Sequence, residues 1–116
     1  MADKHLDPDV LSALREVMED GFSTLIDTFL ADCETRLQVL RQASTAEQLI
    51  GTAHSFKGSS SNMGAVRLAE LCGQLERNAA ISPGDAVGQL IAEIDSEFAI
   101  VRPLYETERQ RSPAAS

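Results

Sequence analysis

Aromatic side chains are scarce in this sequence: four phenylalanines, one tyrosine and no tryptophan among 116 residues. A core must then be built mainly from Leu, Ile, Val and Ala, which suits packed helices better than a sandwich of strands. Cysteine is limited to Cys33 and Cys72. A small secreted domain held by disulfides would carry more, so the two read as buried thiols in a reducing compartment. Basic residues are few, 10 against 18 acidic ones, and the formal net charge is -8. Such a chain repels phosphate backbones and anionic lipid, which argues against nucleic acid and membrane surfaces as partners. The start, Met1-Ala-Asp-Lys-His5, has no apolar signal-type run, and no segment approaches the length of a membrane span. A cytoplasmic location is expected. Gly-rich phosphate loops and nucleotide motifs are missing too, so ATP binding is not expected.

The length fits one domain, and a hydrophobic share of 43% is ordinary for a globular chain. No stretch alternates in the manner of a strand. Residues 1–6 read as frayed, with His5 exposed among them. Asp7-Pro8 reads as an N-cap with proline at the first helical position. A short helix follows, carrying Leu11, Leu14 and Met18 on one face, and Gly21 breaks or bends the chain. Phe22, Ile26, Phe29, Cys33, Leu37 and Leu40 recur at helical steps and predict a second helix over 22–42. Ser44 with Glu47 offers a capping box for a third helix, which turns Leu49, Ala53, Phe56 and Met63 inward and ends near Asn62 and Gly64. Leu68, Leu71, Cys72, Leu75 and Ala79 mark a fourth helix. Ser82-Pro83 caps a fifth, with Val87, Leu90, Ile91, Ile94, Phe98 and Val101. Pro103 should kink that helix or end it early, leaving 106–116 polar and frayed. The expected fold is all-α: an antiparallel up-down four-helix bundle with a short additional N-terminal helix, spanning 1–109, and a flexible tail over 110–116.

The third helix carries the unusual residues. With the core direction set on Leu49 and about 100° per residue, Ala53, Phe56, Ser60 and Met63 stay within about 40° of it. His54 lands about 140° away, Gly58 about 180° and Lys57 about 80°. His54 therefore faces solvent, with Lys57 and Gly58 one turn along. An exposed neutral imidazole is a competent nucleophile near neutral pH. Lys57 places an ammonium where negative charge would collect if that ring took a phosphoryl group. Gly58 removes a side chain that would crowd the ring, and the serines through Ser61 keep the adjoining surface small. A solvent-facing His beside Lys is usually just a solvated face. Glycine weighs against that reading, because a plain helix surface prefers alanine by about 1 kcal/mol. The residues alone leave the two readings level.

The run Ala53-His54-Ser55-Phe56-Lys57-Gly58-Ser59-Ser60-Ser61-Asn62-Met63-Gly64-Ala65 resembles the phosphorylation motif of histidine-containing phosphotransfer (HPt) domains, of the stand-alone bacterial type. The resemblance continues through Leu68-Ala69-Glu70-Leu71-Cys72-Gly73-Gln74-Leu75-Glu76 and covers nearly all of the chain. Phe56 departs mildly from the pattern, since an aliphatic residue is more usual there. The resemblance implies a phosphorelay intermediate of two-component signalling. His54, through Nε2, would accept a phosphoryl group from a receiver-domain phospho-aspartate and pass it to another receiver. Lys57 would offset phosphoryl charge, and Glu76 would hydrogen-bond the other ring nitrogen. Gly58, Ser61 and Gly64 would give the partner access, with Gly64 shaping the turn after the third helix. The partners implied are receiver domains of hybrid sensor kinases and response regulators, docking around His54 and exposed parts of the second helix. No cofactor is implied, magnesium being expected only on the receiver.

The protein would then be a carrier and not an enzyme, without ATP-dependent autophosphorylation. Starting at Met1 and ending in a polar tail, it reads as a stand-alone shuttle and a monomer. Other readings predict other things. A di-metal bundle needs Glu-x-x-His pairs on facing helices, but residue 51 is Gly. The dimerisation helices of a sensor kinase would require an ATP-binding domain. A non-catalytic helical adaptor would be indifferent to loss of His54.

Overall fold

The computed structural model describes residues 5–81 and 84–111. Among these residues five α-helices follow one another: α1 (Pro8–Met18), α2 (Phe22–Gln42), α3 (Ala46–Asn62), α4 (Val66–Ile81) and α5 (Asp85–Gln110). Helices α2 to α5 close a ring in which each packs on two neighbours, and α1 leans on the start of α2. This is the expected all-α bundle with its short N-terminal helix. Phe22, Ile26, Cys33, Ala53, Phe56, Leu68, Cys72, Leu75, Ile94 and Val101 are fully buried, so the helical periodicity identified the core faces correctly. Cys33 and Cys72 are free and buried. Desolvation pushes both thiols up to about 12, which leaves them protonated and unreactive near neutral pH.

The antiparallel register of α2 against α5 is written in ion pairs. Asp27 pairs with Arg109, Glu34 with Arg102, and Arg41 with Asp95. The partners advance by seven residues on α2 while they fall back by seven on α5. That spacing keeps one stripe of each helix facing the other. All six side chains are about half exposed, so each pair contributes only about 0.2–1 kcal/mol.

The ends of elements depart from expectation in four places. Leu6 is buried and His5 is half-buried, its Nδ1 2.7 Å from Glu97 Oε2, so residues 5–6 are anchored where fraying was expected. The break after α1 lies at Glu19, not Gly21: Glu19 takes φ 48° and leads into a short 3-10 turn, while Gly21 stays at φ -78°. The cap of α3 sits one residue later than expected. Thr45 Oγ1 accepts from the Gln48 N–H, and Gln48 Oε1 accepts from the Ser44 N–H, so Gln48 plays the part expected of Glu47. Pro103 does not end α5, which runs on to Gln110. Tyr105 holds that last stretch, buried with its hydroxyl donating to the Met63 carbonyl at 2.6 Å and its ring edge-on to Phe29. Ion pairs from Arg15 to Glu108 and Asp27 to Arg109 fasten it further, so 106–110 are helical rather than frayed. The carbonyl that Pro103 leaves without a donor belongs to Ala99, which is exposed and can turn to water. The Ser82-Pro83 cap and the tail beyond Arg111 lie outside the described residues, as do residues 1–4. Gly84 is the cap residue of α5.

Candidate functional site

The groove between α3 and α4 brings three of the sequence-identified residues together. His54 leaves α3 toward solvent with 69% of its side chain exposed. One turn on, Lys57 reaches across to α4, where Glu76 stands. Glu76 Oε2 lies 2.9 Å from His54 Nδ1, and Glu76 Oε1 lies 3.2 Å from Lys57 Nζ. One carboxylate thus ties the imidazole to the ammonium. The Lys57–Glu76 pair was not foreseen, because it depends on how α4 is rotated against α3.

Partial burial pushes the Glu76 pKa up. Hydrogen bonds and charge from Lys57 and His54 outweigh that effect, and the carboxyl is held below its usual value. An ionised carboxylate only accepts hydrogen bonds, so the Nδ1 of a neutral His54 must carry the proton and donate it to Glu76. The Nε2 lone pair is then left bare. The arrangement resembles a nucleophile oriented by an acid at its far nitrogen, with a cation beside it.

The face around His54 is bare of bulk. A Cβ built on Gly58 would meet nothing within 4 Å, and the same holds for Gly51. Gly51 and Gly58 flank His54 one turn to either side on the exposed surface of α3. In the sequence Gly51 bears only on the absence of a metal motif. Its signal was a second glycine on the solvent face of the same helix. Ser61 is also exposed, about 20° from the His54 direction and about 10 Å along the helix.

Gly64 is a correction. It is buried and offers no access to a partner. Its φ is 76°, and a Cβ there would stand 3.1 Å from Val10 Cβ and 3.3 Å from the Asp7 carbonyl. Its own carbonyl accepts from the Asp7 N–H at 2.8 Å. Gly64 thus turns the chain from α3 into α4 and gives the start of α1 a place to dock, about 15 Å along α3 from His54.

Among the described residues, no group of three or more His, Cys, Asp or Glu side chains comes together to hold a metal ion. No helix among them is long and apolar enough to cross a membrane.

The family model described as Hpt domain matches residues 24–100. Histidine-containing phosphotransfer protein B (HptB) of Pseudomonas aeruginosa PAO1 superposes with a TM-score of 0.88 at 52% identity, over 92% of this chain and 96% of that one. A rice protein described as a candidate histidine-containing phosphotransfer protein has a TM-score of 0.80 at 20% identity, over 96% of this chain and 85% of its own, and shares the fold. No curated protein matches the sequence.

Proposed function

Because the chain belongs to the Hpt domain family and is a phosphorelay intermediate, we propose that His54 is the residue that carries the phosphoryl group. The observation that carries this reading is the Glu76 bridge, which leaves Nε2 of an exposed ring free to attack. Nε2 donates its lone pair to the phosphorus of a receiver's aspartyl phosphate. The P–O bond to the aspartyl oxygen breaks, that aspartate leaves as a carboxylate, and a P–Nε2 bond forms. The ring becomes positively charged, and its Nδ1–H points that charge at Glu76. Lys57, beside the ring, offsets charge on the phosphoryl oxygens. Donation to a second receiver runs the same steps backward. Transfer of this kind depends mainly on positioning and charge.

A family member of this kind is a phosphocarrier rather than a conventional enzyme. The partners we propose are receiver domains of hybrid sensor kinases and of response regulators. They bring the acidic pocket and its magnesium ion, and this chain supplies no cofactor. Docking uses the bare surface of Gly51, Gly58 and Ser61 with the adjoining exposed side of α2. Such visits make a small transient interface, and one face serving two partners in turn needs no stable dimer. The chain does not phosphorylate itself from ATP. Its acidic character and two buried reduced thiols favour the cytoplasm as its location.

The test is a two-receiver relay. A radiolabelled, phosphorylated receiver domain is mixed with the chain, the chain is repurified, and a second receiver is added. Label should pass through the chain to the second receiver and be stopped by His54→Gln. Passage through His54→Gln at the wild-type rate would overturn the proposal.

A further inference from the structure

Gly73 is unlike the open glycines of α3. It lies on α4 one turn before Glu76 and Arg77, and it is buried. A Cβ built on it would stand 3.3 Å from Lys57 Cδ and 3.5 Å from Arg77 Nη1. Two cationic side chains, one from each helix, therefore cover the bare backbone at this point. The stem of Lys57 lies directly on it. From there the ammonium reaches Glu76 Oε1 at 3.2 Å, while the other oxygen of Glu76 holds His54 Nδ1 at 2.9 Å.

The direction of Arg77 follows from helix geometry. Side chains on an α-helix lean toward its N-terminus, so Arg77 folds back over the turn that contains Gly73. Its guanidinium then stands beside the Lys57 stem. Like charges repel, so the ammonium is biased away from Arg77 and toward the carboxylate of Glu76.

We propose that Gly73 is a positioning residue for phosphoryl transfer: the missing side chain opens a slot across α4 that seats Lys57 against Glu76, and through Glu76 orients His54. This rests on the reading of His54 as the phosphoryl acceptor. The slot acts at one remove, since Gly73 touches neither the ring nor the phosphoryl group. A methyl group at position 73 moves the Lys57 stem by a few tenths of an ångström. A leucine fills the slot and lifts the stem off the helix.

The test compares Gly73→Ala and Gly73→Leu in the full chain, each also combined with Lys57→Ala. The phosphodonor is phosphoramidate, a small molecule that gives its phosphoryl group to imidazole without any docking partner. A purely structural glycine inside a helix gains stability when replaced by alanine and leaves chemistry unchanged. The slot instead predicts a melting temperature for Gly73→Ala at or above wild type and a His54 phosphorylation rate lowered about twofold. Gly73→Leu should lower the rate about tenfold. Neither change should slow the Lys57→Ala chain further, because the side chain being seated is already gone. A readout independent of phosphorylation is the Glu76 carboxyl titration followed by carbon NMR, whose midpoint should rise in Gly73→Leu as Lys57 withdraws. Wild-type rates in both single variants, or equal slowing with and without Lys57, would overturn the proposal. So would an unmoved Glu76 midpoint in Gly73→Leu or, if that variant fails to fold, a wild-type rate in Gly73→Ala. Failure of the underlying assignment is separable, since it would show as label on His54→Gln.

Discussion

Replacement of Gly58 should move stability and function in opposite directions. Gly58 sits inside α3, and a Cβ there meets nothing within 4 Å. Gly58→Ala therefore gains the full helix-propensity difference, about 0.8–1 kcal/mol, with no clash to offset it. For a domain of this size that corresponds to a rise in melting temperature of about 3–4 °C. In the proposed function, transfer depends on a partner coming close over the same surface. Reacting atoms must approach to about 3–3.5 Å, and a misplacement of about 1 Å costs about a hundredfold in rate. Gly58 lies one turn from His54, about 6 Å away between side-chain origins. A leucine at position 58 holds a docked receiver off by at least that ångström, so transfer from a phosphorylated receiver should fall about a hundredfold. Phosphoramidate needs no such approach, and labelling from it should stay within about twofold of wild type. The assays are thermal melting by circular dichroism and the two labelling rates side by side. If Gly58→Leu took label from a receiver at the wild-type rate, or lost both rates equally, glycine at this position would not serve partner access.

Glu76 should make stability depend on pH. Its carboxyl is held below its ordinary value of 4.5 in the folded chain. The stabilisation is therefore present above the unfolded-state value and lost as pH falls through the lower folded-state value. Denaturant titrations at pH 7 and in acid should show a smaller loss for Glu76→Gln than for wild type, and an equal loss would contradict the bridge. Tyr105→Phe removes the donor to the buried Met63 carbonyl and should cost about 1–2 kcal/mol in urea unfolding, with transfer unaffected. Thr45→Ala removes the cap of α3 and should cost about 1 kcal/mol, whereas Glu47→Ala should change stability little, because Gln48 makes the reciprocal bond.

The bundle was legible because its core faces repeat at helical steps without interruption. Phe22 through Leu40 on α2 and Leu68 through Ala79 on α4 left no competing period. Helix ends were read less well, because each depends on a tertiary partner. His5 is held by Glu97 of α5 and Leu6 is buried in the core, so neither is fixed by local signals. Pro103 is tolerated because Tyr105 and the Arg109 and Glu108 ion pairs fix the chain beyond it. Ser44 and Thr45 are both competent caps, and one residue of phase decided between them. At the site, the wheel placed His54 in solvent correctly, since exposure on a helix follows from sequence spacing alone. Contacts between helices do not follow from it. The pairing of Lys57 with Glu76 and the burial of Gly64 under Val10 needed the packing of α4 and α1 to become visible. Gly64 was recognised as a turn residue, but a positive φ does not say which side of the turn is covered.

In the proposed function a phosphoryl group rides on one nitrogen of one ring. Intact mass and alkaline tandem mass spectrometry, with nitrogen NMR of the His54 ring after phosphorylation, test it directly. The expected product carries a single acid-labile, alkali-stable phosphoryl group on His54, bonded to Nε2, with the proton on Nδ1. A phosphoryl group on a serine of 59–61 or on His5, or bonded to Nδ1 of His54, would contradict it.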